Sequence, residues 1–343
     1  MRSLVGAHIG SGHYRVVSHL GSGGMATVYR ATHMALGHDV AVKFLHRNVS
    51  GPEDCGRFRR EARLSARLDH PNCIRTIDFS ETDESLAIVM ELLEGPTVRG
   101  VMDLGPMPVS TSVSVALNVL DALDHVHRRG ILHRDVKPGN VMYGRRRDAL
   151  VPILIDFGLA KSFDEDDDRD PPSNVCLGSP IEGAITAPGI CCGSPSYIAP
   201  ERIRRQRYGP PSDVYGVGVL LYEMLTGERP FRGRTARDIM VAAVRVPPRP
   251  LCALAPPVSP RLEQIVLRAL DKDPDRRYRT AGEMAFELSD WAGCSGEIEV
   301  PPCDAAPEAI LDDATEILPD RVWRSINSAA SGPARADWAA CRT

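Results

Sequence analysis

His133-Arg134-Asp135-Val136-Lys137-Pro138-Gly139-Asn140 is the stretch from which the rest of the chain can be read. It follows a helical segment and precedes a β-branched run, residues 151–155, that ends in Asp156-Phe157-Gly158. An isolated acid in a loop is ordinarily a solvated charge. Two acids bracketing an amide are different. Carboxylate and amide oxygens are the ligands that hard cations take, and a further carboxylate can act as a base. Magnesium-dependent phosphoryl transfer needs that set: one carboxylate to orient a hydroxyl, and an oxygen from each stretch to hold the metal.

The totals set the frame. The chain has 343 residues, 43% hydrophobic and 25% charged, which is enough for a large core divided into two lobes or domains. A net charge of -4 provides no global basic field for nucleic acid or anionic membrane. The longest apolar candidate for a membrane span, residues 214–225, is too short and contains Glu223. The first nine residues lack the apolar core of a signal peptide. Nine scattered cysteines show no CxxC and no Cys/His zinc spacing, which implies free thiols in a reducing compartment. These features together imply a cytoplasmic protein.

The amino-terminal part reads as strands. Residues 14–20 form the first, and Gly21-Ser22-Gly23-Gly24-Met25-Ala26-Thr27-Val28-Tyr29 leads into the second. Glycines at such a turn let backbone amides approach phosphates, although any hairpin also favours glycine. Residues 40–45 alternate, with Val40, Val42 and Phe44 on one face and Ala41, Lys43 and Leu45 on the other. A lysine in so apolar a strand either snorkels at an edge or is paired inside. A helix over residues 57–68 offers the partner. Phe58, Glu61, Ala62, Ser65 and Leu68 share one of its faces, and Glu61 is the only charge there. Further strands are expected over 73–80 and 86–92. Residues 110–129 have an apolar stripe of Val113, Leu117, Leu120, Leu123 and Val126, with Gly130 as C-cap. Helices are also expected over 214–225, 261–270 and 280–291. Asp213 can be read as the N-cap of the first of these.

These motifs, in this order, resemble the protein kinases. The resemblance covers residues 10–292, and Gly-Ser-Gly-Gly-Met, His-Arg-Asp-Val-Lys-Pro-Gly-Asn and Ser-Asp-Val-Tyr look most like bacterial, eukaryotic-like serine/threonine kinases. It implies an α+β bilobal fold, a β-rich N-lobe over 14–93 and a helical C-lobe over 95–292, with an extension at 1–13 and a flexible tail at 293–343. It implies Asp135 as catalytic base, Lys137 at the transferring phosphate, and Asn140 and Asp156 as Mg2+ ligands, with Mn2+ as a substitute. Lys43, paired with Glu61, would reach the α- and β-phosphates of ATP. Leu20, Gly21, Ser22, Gly23, Gly24, Met25, Ala26, Thr27, Val28 and Ala41 would line the nucleotide site. Ala26 stands where the family loop has a third glycine. Met90 would be the gatekeeper, with backbone groups of Glu91 and Leu93 on the adenine edge. A lysine two residues after the base, followed by proline, is the serine/threonine pattern, so protein Ser/Thr hydroxyls are the implied acceptors.

The same resemblance makes residues 156–201 an activation segment, closed by Ala199-Pro200-Glu201. It is longer than usual and contains the acidic stretch 164–170, a composition that cannot bury itself. Thr186 is the implied regulatory phosphosite, and Arg134 implies control by loop phosphorylation. Autophosphorylation would involve a transient homodimer. Glu201 would pair with Arg277, and Asp213 would brace the catalytic loop, an alternative to its capping role. The rival to an active enzyme is a pseudokinase scaffold, which usually lacks one of Lys43, Asp135 or Asp156; all three are present.

Overall fold

The computed structural model of the chain describes residues 4–23, 26–45, 52–82, 86–147, 149–157, 161–162, 195–204, 206, 208–255 and 258–295. The first ninety residues form a six-stranded antiparallel sheet in the order β1-β2-β3-β4-β6-β5. Its strands are β1 (His8–Ile9), β2 (Tyr14–Ser22), β3 (Ala26–His33), β4 (Asp39–Leu45), β5 (Thr76–Glu81) and β6 (Leu86–Glu91). Helix α1 (Pro52–Ser65) crosses between β4 and β5.

The alternation of β4 gives the sheet two buried faces. Val40, Val42 and Phe44 pack with Tyr14, Val16, Tyr29 and Val89 on one side. Leu45 packs on the other with Leu86 and Ile88, beneath Phe58 and Ala62 of α1. β1 lies within the stretch expected as an extension, yet it pairs with β2, and Leu4 and Ile9 pack against the first cluster. α1 starts earlier than the apolar period suggests because Pro52 suits a first turn. It ends earlier because Arg67 and Leu68 bond back three residues, to Leu64 and Ser65, tightening the chain out of α geometry.

The C-lobe contains α2 (Val98–Met102), α3 (Val109–Arg128), β7 (Ile131–Leu132), β8 (Val141–Arg146), β9 (Ala149–Leu154), β10 (Lys161–Ser162), α4 (Pro200–Ile203), α5 (Pro210–Thr226), α6 (Ala236–Arg245), α7 (Pro260–Ala269) and α8 (Ala281–Ser295). α5 is the centre of this lobe. Every residue from 212 to 225 is buried, as an all-round apolar helix requires. Glu223 is the charged exception besides Asp213. It accepts from Arg99 at 2.8 Å and from the hydroxyl of Tyr197, with Arg229 3.4 Å away. Leu64, Leu68, Cys73 and Ile74 join the C-lobe core although they precede β5. The end of α1 and its linker are therefore seated on the C-lobe.

One ion pair closes the base of this lobe. Arg277 grips Glu201 with two bonds of 2.9 and 2.7 Å, and neither side chain is more than 1% exposed. Arg277 also donates to the carbonyls of Asp271 and Pro211 and lies 4.8 Å from the Tyr215 ring centre. Removing one member of such a pair strands a buried charge. Glu201→Ala should therefore lower the unfolding free energy by about 3–5 kcal/mol in urea titrations. Replacing both members by Leu and Met should recover most of that loss.

Candidate active site

Three elements bring one cation and two carboxylates together. β4 supplies Lys43, α1 supplies Glu61, and the chain leaving β9 supplies Asp156. Lys43 Nζ donates to Glu61 Oε1 at 2.6 Å and to Asp156 Oδ1 at 2.8 Å. Burial works against the ammonium, but Asp156 and Glu61 outweigh it and hold Lys43 well above the usual lysine range. Burial raises the Glu61 carboxyl and Asp156 adds to that rise, while Lys43 opposes it. The Lys43 ammonium between the two carboxylates therefore stays charged.

The stretch 133–140 runs beside this cluster. Lys137 Nζ lies 2.6 Å from Asp135 Oδ2. Asn140 Nδ2 donates to Asp135 Oδ2 at 2.8 Å and to the Asp135 carbonyl at 2.9 Å. Those bonds occupy the amide N–H group of Asn140 and leave its oxygen as the acceptor end. Arg134 and Asp156 both have positive φ, 68° and 65°, a conformation that costs energy for residues other than glycine. Two of the four non-glycine residues with positive φ among the described residues thus fall in the two stretches that carry the candidate chemistry; the others are Ser11 and Arg147.

Asp213 holds the turn at Arg134 in place. Its carboxylate accepts from the backbone N–H groups of His133 (2.9 Å) and Arg134 (2.8 Å), from His127 Nε2 (2.8 Å) and from the Tyr208 hydroxyl (2.9 Å). Burial would raise this carboxyl, but the bond and charge of His127, the charge of His133 and the Arg134 N–H bring it down to about 2. The N-cap reading does not apply. α5 begins at Pro210 with Gly209 as its cap, so Asp213 lies inside the first turns and faces the loop. His133 is fully buried, and its Nε2 is 3.2 Å from the Ile155 carbonyl. Its ring meets Phe157 edge-on, which ties the two stretches together.

The residues expected around a nucleotide lie on adjoining strands. Gly21 and Lys43 both pair with Val28, and Ser22 pairs with Thr27. The Gly23 N–H closes the turn on the Ala26 carbonyl at 2.8 Å. Leu20 is half exposed on β2. Ala41 pairs with Met90, and Val40 with Glu91. Leu93 packs against the C-lobe core. Just beyond it, a Cβ at Gly95 would lie 2.3 Å from the Tyr143 carbonyl, so the strand-to-helix crossing requires glycine. Gly24, Met25, Gly158, Thr186, the acidic stretch 164–170 and the tail from 296 onward lie outside the described residues.

The sequence reading missed three features. It gave Glu91 only a backbone role, yet its side chain pairs with Arg146 at 2.6 Å. It did not join Glu223 to Tyr197 and Arg99. It left out His127 as a partner of Asp213. In each case the partners are far apart in the chain and belong to different periodic elements, so no local pattern reveals them.

The donor set suits a hard cation. Carboxylate and amide oxygens from Asp156 and Asn140 are the ligand types Mg2+ accepts, and it commonly completes its shell with phosphate and water. Among the described residues, no three His, Cys, Asp or Glu side chains cluster to hold a metal unaided. No helix among them is long and apolar enough to cross a membrane.

A family model, the protein kinase domain, matches residues 14–286. The chain belongs to the protein kinase family. It is 34% identical over 281 residues to serine/threonine-protein kinase pkn2 of Myxococcus xanthus, covering 81% of this chain and 32% of that protein. It is 36% identical over 282 residues to pkn3 of the same organism, covering 80% and 49%. Serine/threonine-protein kinase PknB of Mycobacterium leprae is 35% identical over 284 residues, covering 81% and 43%. The chain thus spans about a third to a half of the length of these curated relatives. The crystal structure of a mutant form of the Mycobacterium tuberculosis PknI kinase domain superposes with a TM-score of 0.62 at 26% identity, covering 85% of this chain and 100% of that one. The fold is the bilobal protein-kinase fold.

The Asp213 geometry has a pH consequence. A carboxyl depressed in the folded state stabilises the fold above its ordinary value of 3.8 and loses that contribution as pH falls through about 2. Between pH 4 and pH 2 the wild type should lose about 2 kcal/mol through this group. Asp213→Asn should be less stable at pH 7 and show a correspondingly shallower loss across that window, read by denaturant titration at each pH.

Proposed function

We propose that the chain is an active serine/threonine protein kinase, transferring the γ-phosphate of ATP to Ser or Thr hydroxyls of proteins. The observation that carries this reading is the assembled cluster: Lys43 lies between Glu61 and Asp156, with Asp135, Lys137 and Asn140 in bonding contact beside it. The relatives named above support the choice of Ser and Thr.

In this reading Asp135 accepts the proton of the attacking hydroxyl and orients it. Lys137, held at that carboxylate, offsets charge on the transferring group. Lys43 steadies the α- and β-phosphates, and Glu61 keeps its ammonium aimed. Asn140 and Asp156 would hold Mg2+, or Mn2+ in its place, which when bound neutralises phosphate charge. Most of the rate enhancement comes from alignment and electrostatics in a preformed site. Leu20 to Val28, Ala41, Met90, Glu91 and Leu93 form the proposed nucleotide pocket.

The proposal extends to regulation. Thr186 is autophosphorylated by a transient second copy, and that modification raises activity. The location is cytoplasmic, which suits the free thiols of Cys55, Cys73, Cys252 and Cys294.

The test is γ-phosphate transfer from labelled ATP with Mg2+ to the protein itself and to a Thr-containing peptide. Asp135→Asn should lower kcat roughly 100- to 10,000-fold. Lys43→Met and Asp156→Asn should each abolish measurable label. Label that persists in Asp135→Asn would overturn the assignment of the base. A wild type that binds ATP but transfers nothing, with or without cell lysate, would favour a scaffold. Mapping the label by mass spectrometry tests Thr186 in the same experiment.

A further inference from the structure

Arg146, at the end of β8, makes a set of bonds that the proposed chemistry does not use. Its Nη2 and Nη1 donate to Glu91 Oε1 and Oε2 at 2.6 and 2.7 Å, a two-pronged grip. Its Nε donates to the Pro71 carbonyl at 2.9 Å, and its remaining N–H groups lie 3.5 Å from the Cys73 carbonyl and 3.4 Å from that of Arg145. Glu91 is bound in turn to the linker. Its Oε1 accepts from the Arg75 N–H at 2.8 Å, and its own N–H donates to the Arg75 carbonyl at 3.0 Å. The pair is largely covered, with 26% and 22% of the two side chains exposed, so water screens it less than a surface pair.

The three stretches it joins belong to different bodies. Residues 72–74 are fastened to the C-lobe. Asn72 Nδ2 donates to Asn118 Oδ1 at 2.8 Å and to the Pro152 carbonyl at 2.7 Å. The Leu154 N–H donates to the Asn72 carbonyl, and the Ile74 N–H to the Leu154 carbonyl. β8 is paired with β9 in the same lobe. β6, in contrast, is a strand of the N-lobe sheet, and its last residues, Met90 and Glu91, pair with β4. Arg146 therefore ties the N-lobe strand that leads into the crossing between lobes to two stretches anchored on the C-lobe. Rotation of the sheet away from the C-lobe must lengthen or break this grip.

We propose that Arg146 is a positioning residue, a clasp that acts through Glu91 to limit opening of the lobes and so sets how fast the product nucleotide leaves. The inference rests on the nucleotide-binding reading given above. The site suits arginine because only a planar guanidinium can hold both carboxylate oxygens and the Pro71 carbonyl together. Product release or opening sets turnover in many enzymes of this kind. Loosening the clasp then raises kcat and KM for ATP together, whereas damage to the fold lowers kcat and leaves KM unaltered.

The experiment is stopped-flow release of a fluorescent ADP analogue from the full chain, with steady-state kinetics and Tm on the same samples. Arg146→Ala should release the analogue about three- to tenfold faster, with kcat and KM for ATP both raised. Arg146→Lys should fall between it and the wild type. Glu91→Gln, which weakens the same grip while keeping the arginine, should shift release in the same direction and serves if Arg146→Ala does not fold. Release unchanged in the folded variants, or a fall in kcat with KM unaltered, overturns the clasp. Release is measured without phosphoryl transfer. If the wild type binds the analogue but transfers nothing, the kinase reading fails while the release comparison still decides the role of Arg146.

Discussion

A buried carboxylate that must find donors organises the candidate site of this protein. Asp213 lies in α5, a helix buried throughout residues 212–225, where an ionised group without partners would be very costly. Its donors are two consecutive backbone N–H groups, a histidine and a tyrosine hydroxyl, and the backbone groups belong to the stretch that carries Asp135. Meeting the needs of Asp213 therefore fixes the loop. The left-handed turn at Arg134 is held by the same bonds, since the Arg134 N–H is one of the donors. Asp135, Lys137 and Asn140 then project from a backbone that has little freedom to relax.

The second constraint is where α1 is anchored. The helix covers the N-lobe sheet with Phe58 and Ala62, but Leu64, Leu68, Cys73 and Ile74 pack into the C-lobe core. Glu61 sits between these two attachments. Asp156 comes from the C-lobe side and completes the cluster around Lys43. A network of similar kind joins Tyr197 to Glu223 and Arg99. In each case a buried acid in one element sets the position of a functional segment in another.

Some of this was legible because periodicity and chemistry coincide. Lys43 stands in a strand of otherwise apolar residues, and Glu61 is the one charge on a core-facing helical stripe, so each required a partner. β8 is hard to read from the sequence because its second half, Gly144-Arg145-Arg146, has no apolar alternation. It is a strand because β9 pairs with it, from Val141 with Leu154 to Arg146 with Ala149. α1 ends three residues before the apolar period predicts, because Leu68 is buried as the period requires while the backbone there has already tightened. The two readings of Asp213, cap or brace, could not be separated from the chain alone, since Asp is favoured at helix starts and the true start at Pro210 depends on Gly209 and Pro210.

The sequence by itself determined the kinase class, the order of the motifs and the identity of the groups that meet at the candidate site. It could do so because residue type limits which groups donate, accept or ligate, and local period decides which face they share. Tertiary structure alone decided which distant groups are partners: Arg146 with Glu91, His127 with Asp213, and Tyr197 with Glu223. Those pairings link residues 26 to 86 positions apart. They exist because buried polar groups must be satisfied by whatever the packing of whole elements brings near.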